Sequence, residues 1–390
     1  MQRDEQAEVA GITRAELAGR VDRARRAAAA AGLDGLIVLG QGGGAFERHG
    51  DLLYLTGHYT TFPAIPDLPG HWTLRGHAAA VIGPDRVVLC TDDDADVSTV
   101  AADEVRVIDD LAEAICSAVQ SVGLAGRPIG LVNANAVPAD GLAAILARTG
   151  ATVRADELVE VLRRVKSPAE QSLLRLAGAA GSAAITAAMD AAGEGATELE
   201  AASAAIRTAV EQGAAVSNTF TSVYRPGRPP RRRLFPSYAD TLAMEPGDIF
   251  AVDMSGSVDG YFFDFARSRV VGDDRHGGEE LIDLVQRAID AGVAAARAGV
   301  TAGSVAAAGF AVLAAAGDYD PGRFPALGHG MGLGFEHPWL TVDNALVLEP
   351  GMCLAIENWT GQRGIAATFE HNLLVTDGAP EVLSTGRERW

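Results

Sequence analysis

Gly247-Asp248-Ile249-Phe250-Ala251-Val252-Asp253-Met254-Ser255, followed closely by Val258-Asp259-Gly260-Tyr261-Phe262-Phe263-Asp264-Phe265, is the stretch that decides the fold. Two apolar runs joined by a turn ending in Asp-Gly predict a β-hairpin. In such a hairpin Asp253 and Asp264 lie nearly opposite each other, and two neighbouring carboxylates repel unless a cation lies between them. The pair is therefore a candidate metal site. The alternative is that one aspartate is a turn residue and the other an exposed strand residue.

A histidine and two glutamates further along the chain extend this candidate site. His329 lies among glycines in Gly328-His329-Gly330-Met331-Gly332, and glycine allows close backbone approach. Glu357 and Glu370 interrupt two neighbouring apolar β runs. Charges at strand centres are costly unless they are paired or bound to metal. Four carboxylates and one imidazole suit two divalent ions such as Mn, Co or Zn, which would activate a shared water and polarise a substrate carbonyl, so the site predicts hydrolysis.

Composition and net charge exclude several classes of protein. The 390 residues carry a formal net charge of −19, which disfavours nucleic acid and anionic membrane surfaces as partners. With 48% hydrophobic and 21% charged residues, the chain has the composition of a folded protein with hydrophobic cores. Its length predicts two domains. Three cysteines at unrelated spacings indicate neither a metal site nor a disulfide framework, hence a reducing compartment. Neither a signal peptide nor a membrane span is recognisable, so we expect a cytoplasmic protein.

The first 150 or so residues alternate between helical and strand patterns, which predicts an α/β domain. Helices are predicted at residues 13–32, 97–104 and 111–122, and strands at residues 36–39, 52–55, 78–82 and 87–90. A second domain begins where Ser167, Pro168 and Glu170 form a capping box that opens a long helix to about residue 192. A second capping box at residues 197–200 opens another helix. Strand patterns from residue 249 onward, with helices near 279–298 and 304–316, predict an α+β domain.

The chain resembles the pita-bread metallopeptidase superfamily, which includes prolidase, aminopeptidase P, methionine aminopeptidase and creatinase. The resemblance spans nearly the whole chain and includes Asp34-Gly35-Leu36-Ile37-Val38, Tyr54-Leu55-Thr56-Gly57, the 11-residue spacing of the aspartates and the 13-residue spacing of the glutamates. It implies an α+β protein with a creatinase-like α/β N-terminal domain at residues 1–160 and a pita-bread catalytic domain at residues 161–390, in a homodimer.

The same resemblance implies a set of metal ligands. Asp253 would bind one metal, His329 and Glu357 the other, and Asp264 and Glu370 would bridge the two. The ions would be Mn, Co or Zn, with Fe as a further option. The implied function is a dinuclear hydrolase related to Xaa-Pro dipeptidases and aminopeptidases, in which a metal-activated hydroxide attacks an amide bond of a short peptide or other small substrate.

Two histidines that peptidases of this type carry are replaced here. Pro236 stands twelve residues before Asp248, where the family has a histidine that can hydrogen-bond the oxyanion, and Glu336 stands seven residues after His329. Glu336 is therefore the candidate proton acceptor, and the adjacent His337 is a second catalytic candidate.

These replacements also fit a non-peptidase member of the superfamily, a dimethylsulfoniopropionate lyase or a creatinase-like C–N hydrolase acting on a small zwitterion. The lyase branch shares Glu336 and Pro338, but Phe335 stands where that branch has an acidic base. His371, next to Glu370, should point to the opposite face of its strand and is predicted not to be a ligand.

Substrate-binding candidates lie in two places. Arg231, Arg232 and Arg233 crowd a proline-rich loop that leads towards Pro236, and a guanidinium there could bind a substrate carboxylate. The alternative is a solvated loop. Tyr261, in the hairpin, is a further candidate for substrate binding.

Overall fold

The structure is a computed structural model that describes residues 11–43, 48–92, 95–150, 152–227, 242–317, 324–362 and 364–390. The chain divides into two compact units, Met1–Arg163 and Arg164–Trp390. The five residues predicted to bind metal all belong to the second unit.

A mixed β-sheet with helices makes up the first unit. Its strands are β1 (Gly35–Gln41), β2 (His77–Ile82), β3 (Val87–Thr91), β4 (Glu104–Val107), β5 (Ile129–Val132) and β6 (Thr152–Arg154). Its helices are α1 (Arg14–Ala30), α2 (Gly50–Thr56), α3 (Leu111–Ser121), α4 (Ala139–Thr149) and α5 (Asp156–Arg164), the last of which ends one residue past the boundary. The sheet has the order β4-β3-β2-β1-β5-β6, and β1 pairs antiparallel with β2 and parallel with β5. The central strands are continuous apolar runs because both of their faces are buried.

Two predicted elements of this unit are wrong. Residues 52–55 belong to the helix α2, in which Leu52 and Leu55 are both buried, and Gly57 ends that helix in the left-handed conformation with φ of 74°. A short apolar run cannot be assigned to strand or helix by periodicity alone. Residues 97–103 form turns and bends, not a helix. There the Asp96 side chain accepts a hydrogen bond from the Ser98 amide at 2.8 Å, a local bond that competes with helix formation.

The second unit begins with two capped helices, as predicted. In α6 (Pro168–Ala191) the Ser167 hydroxyl accepts from the Glu170 amide, and the Glu170 carboxylate accepts from the Ser167 amide. Thr197 and Glu200 cap α7 (Glu198–Glu211) in the same way. Among the described helices, α6 alone has the length and apolar composition of a membrane span, but its apolar residues pack into the core of this unit.

The rest of the described second unit consists of two sheets and two more helices. The strands are β7 (Ala215–Tyr224), β8 (Ile249–Val258), β9 (Tyr261–Val270), β10 (Ala326–Met331), β11 (Phe335–Thr341), β12 (Cys353–Gln362), β13 (Ile365–Leu374) and β14 (Glu381–Val382); the helices are α8 (Gly278–Ala295) and α9 (Ala302–Ala315). The sheets have the orders β7-β8-β9 and β11-β10-β12-β13-β14. Helices α6 and α7 cover the first sheet, and α8 and α9 cover the second.

Side chains join the two sheets where β9 lies beside β13. The Ser268 hydroxyl accepts a hydrogen bond from the Thr368 amide at 2.8 Å, and the Asn372 side chain bonds the backbone of Asp264. At this junction polar side chains form hydrogen bonds with backbone groups of the neighbouring strand. The strands β9 and β13 therefore lie side by side without a continuous series of backbone hydrogen bonds between them. The predicted α+β class of this unit is confirmed.

Candidate metal centre

The β8–β9 hairpin places Asp253 and Asp264 on one face of the first sheet. Asp253 lies opposite Ala266, and Asp264 lies opposite Ser255, so the two aspartates are diagonal neighbours. Directly paired residues share a face, and positions two apart on a strand share it too. Apolar residues of the opposite face, including Phe263, pack against α6 and α7. The prediction of a hairpin with two neighbouring aspartates is confirmed, with a diagonal offset.

Glu357 and Glu370 are directly paired across β12 and β13. Glu370 is completely buried, and neither of its carboxylate oxygens has a hydrogen-bond partner among the described residues. Like charges directly opposite each other destabilise a sheet, and a buried carboxylate without partners is costlier still. This pair therefore needs a compensating positive charge.

His329 completes the cluster from β10, the neighbour of β12. Its Nε2 lies 3.8 Å from Asp264 Oδ2 and 3.7 Å from Glu357 Oε1, and it has no hydrogen-bond partner in the described part of the chain. Its Nδ1 lies 2.8 Å from the carbonyl oxygen of Gly330. Because a carbonyl only accepts, Nδ1 carries the proton and Nε2 presents a lone pair to the carboxylates, which is the tautomer a metal ligand needs.

Burial disfavours the charged form of every acid in the cluster. It raises the pKa of Asp253 to about 6, and, with the charge of Asp253, it raises the pKa of Glu357 to about 7. Burial and neighbouring carboxylates raise the pKa values of Asp264 and Glu370 well above the ordinary range. Burial also lowers the pKa of His329 to about 4, which keeps its imidazole neutral at pH 7.

The donor set fits divalent metal ions. Ligand atoms of Asp264, His329 and Glu370 lie within 4.8 Å of one another, and all three residues are buried. Oxygen and imidazole nitrogen suit ions such as Mn²⁺, Co²⁺ and Zn²⁺, and such charges would offset the repulsion that raises the carboxyl pKa values. The five residues predicted to be ligands thus lie on strands of two sheets and form one cluster.

Two further residues support the cluster. Asn372 holds the backbone of Asp264, and buried Arg267 donates to the carbonyl oxygen of Glu370 while its guanidinium lies 3.9 Å from the centre of the Phe369 ring. Burial lowers the pKa of Arg267 to about 10, so it stays cationic at pH 7. Sequence reasoning missed Asn372. The sequence feature that could have identified Asn372 is its position as a polar residue in an apolar strand, two residues after Glu370 and on the same face.

Glu336 lies in a buried ion pair. Its Oε2 is 3.0 Å from Lys166 Nζ, and both side chains are almost inaccessible to solvent. Its Oε1 accepts from the Leu333 amide at 3.1 Å, and a Cβ at Gly332 would lie 2.5 Å from this oxygen. The carboxylate is thus fixed under the β10–β11 turn, where sequence reasoning did not anticipate the lysine.

Of the other predicted site residues, the structure describes His337 and Tyr261. His337 is exposed on β11. The buried Tyr261 lies on the face of β9 opposite to Asp264 and donates to Glu170 Oε1 at 2.9 Å, so we assign it to packing against α6 in place of substrate binding. Arg231, Arg232 and Arg233, like Pro236, lie outside the described residues.

His371 faces away from Glu370, as predicted. It pairs with Ile356, while Glu370 pairs with Glu357. Its Nδ1 is hydrogen-bonded to the Ser384 hydroxyl, and its Nε2 is 3.6 Å from Glu388 Oε1. His371 is thus held by the C-terminal segment and is not one of the grouped ligands.

Comparison with known proteins agrees with this geometry. The model of metallopeptidase family M24 matches residues 172–377, the region that contains all five candidate ligands. The chain belongs to family M24. The model of the creatinase/prolidase N-terminal domain matches residues 20–165.

The probable dipeptidase PepE of Mycobacterium tuberculosis is 33% identical to this M24 protein over 272 residues, 67% of this chain and 70% of the relative. The Xaa-Pro dipeptidase of Lactobacillus helveticus is 29% identical over 201 residues, 51% of this chain and 54% of that protein.

Solved structures match nearly the full length of the chain. Dipeptidase PepE from Mycobacterium ulcerans has a TM-score of 0.77 at 26% identity and covers 96% of this chain and 97% of its own. The prolidase from Pyrococcus horikoshii OT3, at 19% identity, has a TM-score of 0.78 with coverages of 95% and 99%, which shows the fold.

These findings confirm the creatinase-like N-terminal domain, the pita-bread domain and a dinuclear metal-dependent hydrolase resembling Xaa-Pro dipeptidases.

Proposed function

We propose that this M24 metallohydrolase cleaves short peptides and that Xaa-Pro dipeptides are its first substrates to test. The observation that carries the proposal is the cluster of four carboxylates and one imidazole, in which the buried His329 Nε2 and both buried Glu370 oxygens have no hydrogen-bond partner among the described residues. Proteins similar in sequence are named probable dipeptidase and Xaa-Pro dipeptidase.

We propose that Asp253, Asp264, His329, Glu357 and Glu370 would hold two divalent metal ions. Mn, Co and Zn suit these ligands, and Fe is a further option. Two such ions supply a Lewis acid for the substrate carbonyl and an activated water.

The protein's own residues then position the reaction. Gly330 holds the His329 ring, Asn372 holds the Asp264 backbone, and Arg267 holds the Glu370 backbone, so the cluster is organised before substrate arrives. For proton transfer we propose Glu336, since in its ion pair with Lys166 the carboxylate can accept a proton. His337 is the second candidate.

Substrate binding and assembly complete the proposal. We propose that the guanidiniums of Arg231, Arg232 and Arg233 bind the C-terminal carboxylate of a dipeptide, since Arg pairs with carboxylates in a bidentate geometry. Replacing all three should raise KM with little change in kcat; unchanged kinetics would contradict this role. We further propose a homodimer in the cytoplasm; the free cysteines Cys90, Cys116 and Cys353 are consistent with a reducing compartment.

The test combines metal content with turnover. Protein purified without chelator should contain about two metal ions per chain by elemental analysis and should hydrolyse a panel of Xaa-Pro dipeptides. Asp264→Asn should lose both metal and activity, whereas Asp259→Asn, in the exposed hairpin turn, should keep both. Two metals without dipeptide hydrolysis would favour a small-molecule lyase or C–N hydrolase, and a chain that binds no metal after reconstitution would refute the mechanism.

A further inference from the structure

A cleft lies between helix α6 and the C-terminal segment, residues 384–390. Its outer part has a volume of about 500 Å³, and its wall on α6 includes three alanines, Ala179, Ala183 and Ala187. An inner cavity shares three of its lining residues with the outer part, so the two are continuous. The shared residues are Ser182, Thr186 and Thr385.

The inner cavity is separate from the metal cluster. Phe265 and Arg267 line it from β9, and both lie on the strand face opposite to Asp264. Among the described residues no carboxylate lines this cavity. Its polar lining consists of two guanidinium groups and four hydroxyl groups, those of Arg267, Arg387, Ser182, Thr186, Ser384 and Thr385. Such a lining suits a negatively charged group.

Arg267 is a buried cation without a counter-ion in contact. It is 4% exposed. The charges of Glu388, Glu370 and Asp290 favour its cationic form, but in the part of the chain that the structure describes none of them forms an ion pair with it. Burying a charge is costly unless the charge is paired, and the Phe369 ring against the guanidinium offsets only part of that cost.

The hydrogen bonds of Arg267 leave two of its nitrogens available. Nη1 donates to the carbonyl oxygens of Ala266 and Glu370, whereas Nε and Nη2 donate to none of the described residues. In Arg225 the same two nitrogens, Nε and Nη2, hold the two oxygens of the Asp248 carboxylate, each at 2.6 Å. Arg267 therefore presents, beside the inner cavity, the pair of donors that binds an anionic group elsewhere in this protein.

The dimensions and charges of the cleft limit its ligand. The inner cavity, about 10 Å³, has room for about one water-sized group, so it admits only the charged group of a small anion. Arg387 lines the same cavity with a side chain that is 57% exposed, which adds a positive charge on the solvent side. Asp190, in the outer part, is already partnered: its Oδ1 accepts from Trp390 Nε1 at 2.7 Å and lies 3.5 Å from Arg387 Nη1.

We propose that the inner cavity is an anion site in which Nε and Nη2 of Arg267 hold a small negatively charged group. Two ligands share this chemistry: a halide ion such as chloride, and the carboxylate of a short-chain organic acid whose apolar part lies in the outer cleft. The bound anion supplies the counter-charge that buried Arg267 lacks, and it thereby stabilises the folded protein. The site takes no part in the proposed peptidase reaction, so the inference does not depend on that function.

Bromide, which can replace chloride and scatters X-rays anomalously, locates the ion. Crystals of the full chain grown in sodium bromide should show an anomalous peak within hydrogen-bond distance of Arg267 Nε or Nη2. Arg267→Gln should abolish this peak. Arg387→Gln, at an exposed side chain, keeps the test decisive if the buried substitution prevents folding, and it should lower the occupancy. Arg297→Gln, at an exposed arginine that does not line the cleft, is the matched control and should leave the peak unchanged.

Broadening of the chlorine NMR line measures the affinity in solution. The broadening should fall several-fold in Arg387→Gln and stay unchanged in Arg297→Gln. Competition by acetate and hexanoate distinguishes the two ligands. For an organic acid, each methylene group buried in the outer cleft should strengthen competition by up to about 4-fold, and Ala183→Leu, which fills the outer cleft, should remove the gain. Equal competition by acetate and hexanoate identifies the halide as the ligand.

Water in place of bromide at Arg267 would overturn the inference, and so would chloride broadening that Arg387→Gln leaves unchanged. A bromide peak confined to the metal cluster would overturn it as well. Hydrolysis of dipeptides bears only on the proposed function, so the two proposals can fail separately.

Discussion

The Asn372 side chain is hydrogen-bonded to both backbone groups of Asp264: its Oδ1 accepts from the amide at 2.9 Å, and its Nδ2 donates to the carbonyl oxygen at 2.7 Å. Both residues are buried. One primary amide thus replaces the neighbouring strand that Asp264 lacks on this side, and it links the sheet of Asp253 and Asp264 to the sheet of Glu357 and Glu370.

Removing this link should weaken folding and metal binding together. Asn372→Leu leaves two buried backbone groups without partners, at about 1–3 kcal/mol each in the free energy of unfolding. Because a ligand that has lost its support binds metal less tightly, metal affinity should fall about 10- to 100-fold. Urea unfolding and metal titration measure the two effects. Asn135→Leu, at an exposed asparagine, is the control and should change neither. Unaltered metal affinity in Asn372→Leu would show that the link does not position Asp264.

The buried ion pair of Lys166 and Glu336 yields a prediction about stability. Lys166→Met removes the ammonium that pairs with a buried carboxylate and should destabilise the protein by about 3–5 kcal/mol, whereas Lys166→Met combined with Glu336→Leu should cost less than that single change. A double-mutant cycle by chemical unfolding measures the coupling. Additive effects would show that the pair contributes no coupling energy.

A substitution of Glu336 distinguishes a catalytic role of this residue from a structural one. If Glu336 accepts the proton in the reaction, Glu336→Gln should lower kcat by about 10²- to 10⁴-fold while two metals remain bound. Steady-state kinetics and elemental analysis of the same preparation measure this. Full activity in a metal-loaded Glu336→Gln variant would contradict the catalytic role and leave Glu336 with its structural one.

Sequence reasoning succeeded where one physical constraint dominates. Charged residues in the middle of apolar strands need compensation, so Asp253, Asp264, Glu357 and Glu370 are recognisable from the amino-acid sequence alone. The capping boxes at Ser167 and Thr197 located helix starts to within a residue.

Sequence reasoning failed where tertiary contacts decide the local structure. Residues 52–55 satisfy strand and helix patterns equally, and only their buried neighbours select the helix. The sequence does not indicate which face of the strand Tyr261 occupies until the register of the hairpin is known. Asp264, which Asn372 bonds, is 108 residues away in sequence, and Lys166, which pairs with Glu336, is 170 residues away, distances that no local pattern spans.

Metal binding should be strongly pH-dependent because the metal replaces protons in the cluster. The folded protein without metal holds protons on Glu357 up to about pH 7 and on Asp253 up to about pH 6, whereas the unfolded chain releases them near pH 4. Between these values the folded state binds more protons, so these two groups make the metal-free protein less stable as pH rises through this window. The lowered pKa of His329 acts in the opposite direction between about pH 4 and 6.5.

Metal affinity should therefore fall steeply as pH decreases through about 7 and then about 6, with protons released on binding at neutral pH. Calorimetry in buffers of different ionisation enthalpy counts these protons. Glu357→Gln should release fewer protons than the unmodified chain, while Glu349→Gln, an exposed acid four residues before the start of β12, should leave the count unchanged. Binding that is independent of pH between 5.5 and 8 would show that the carboxyls are already ionised in the metal-free fold, contrary to the shifts that their burial produces.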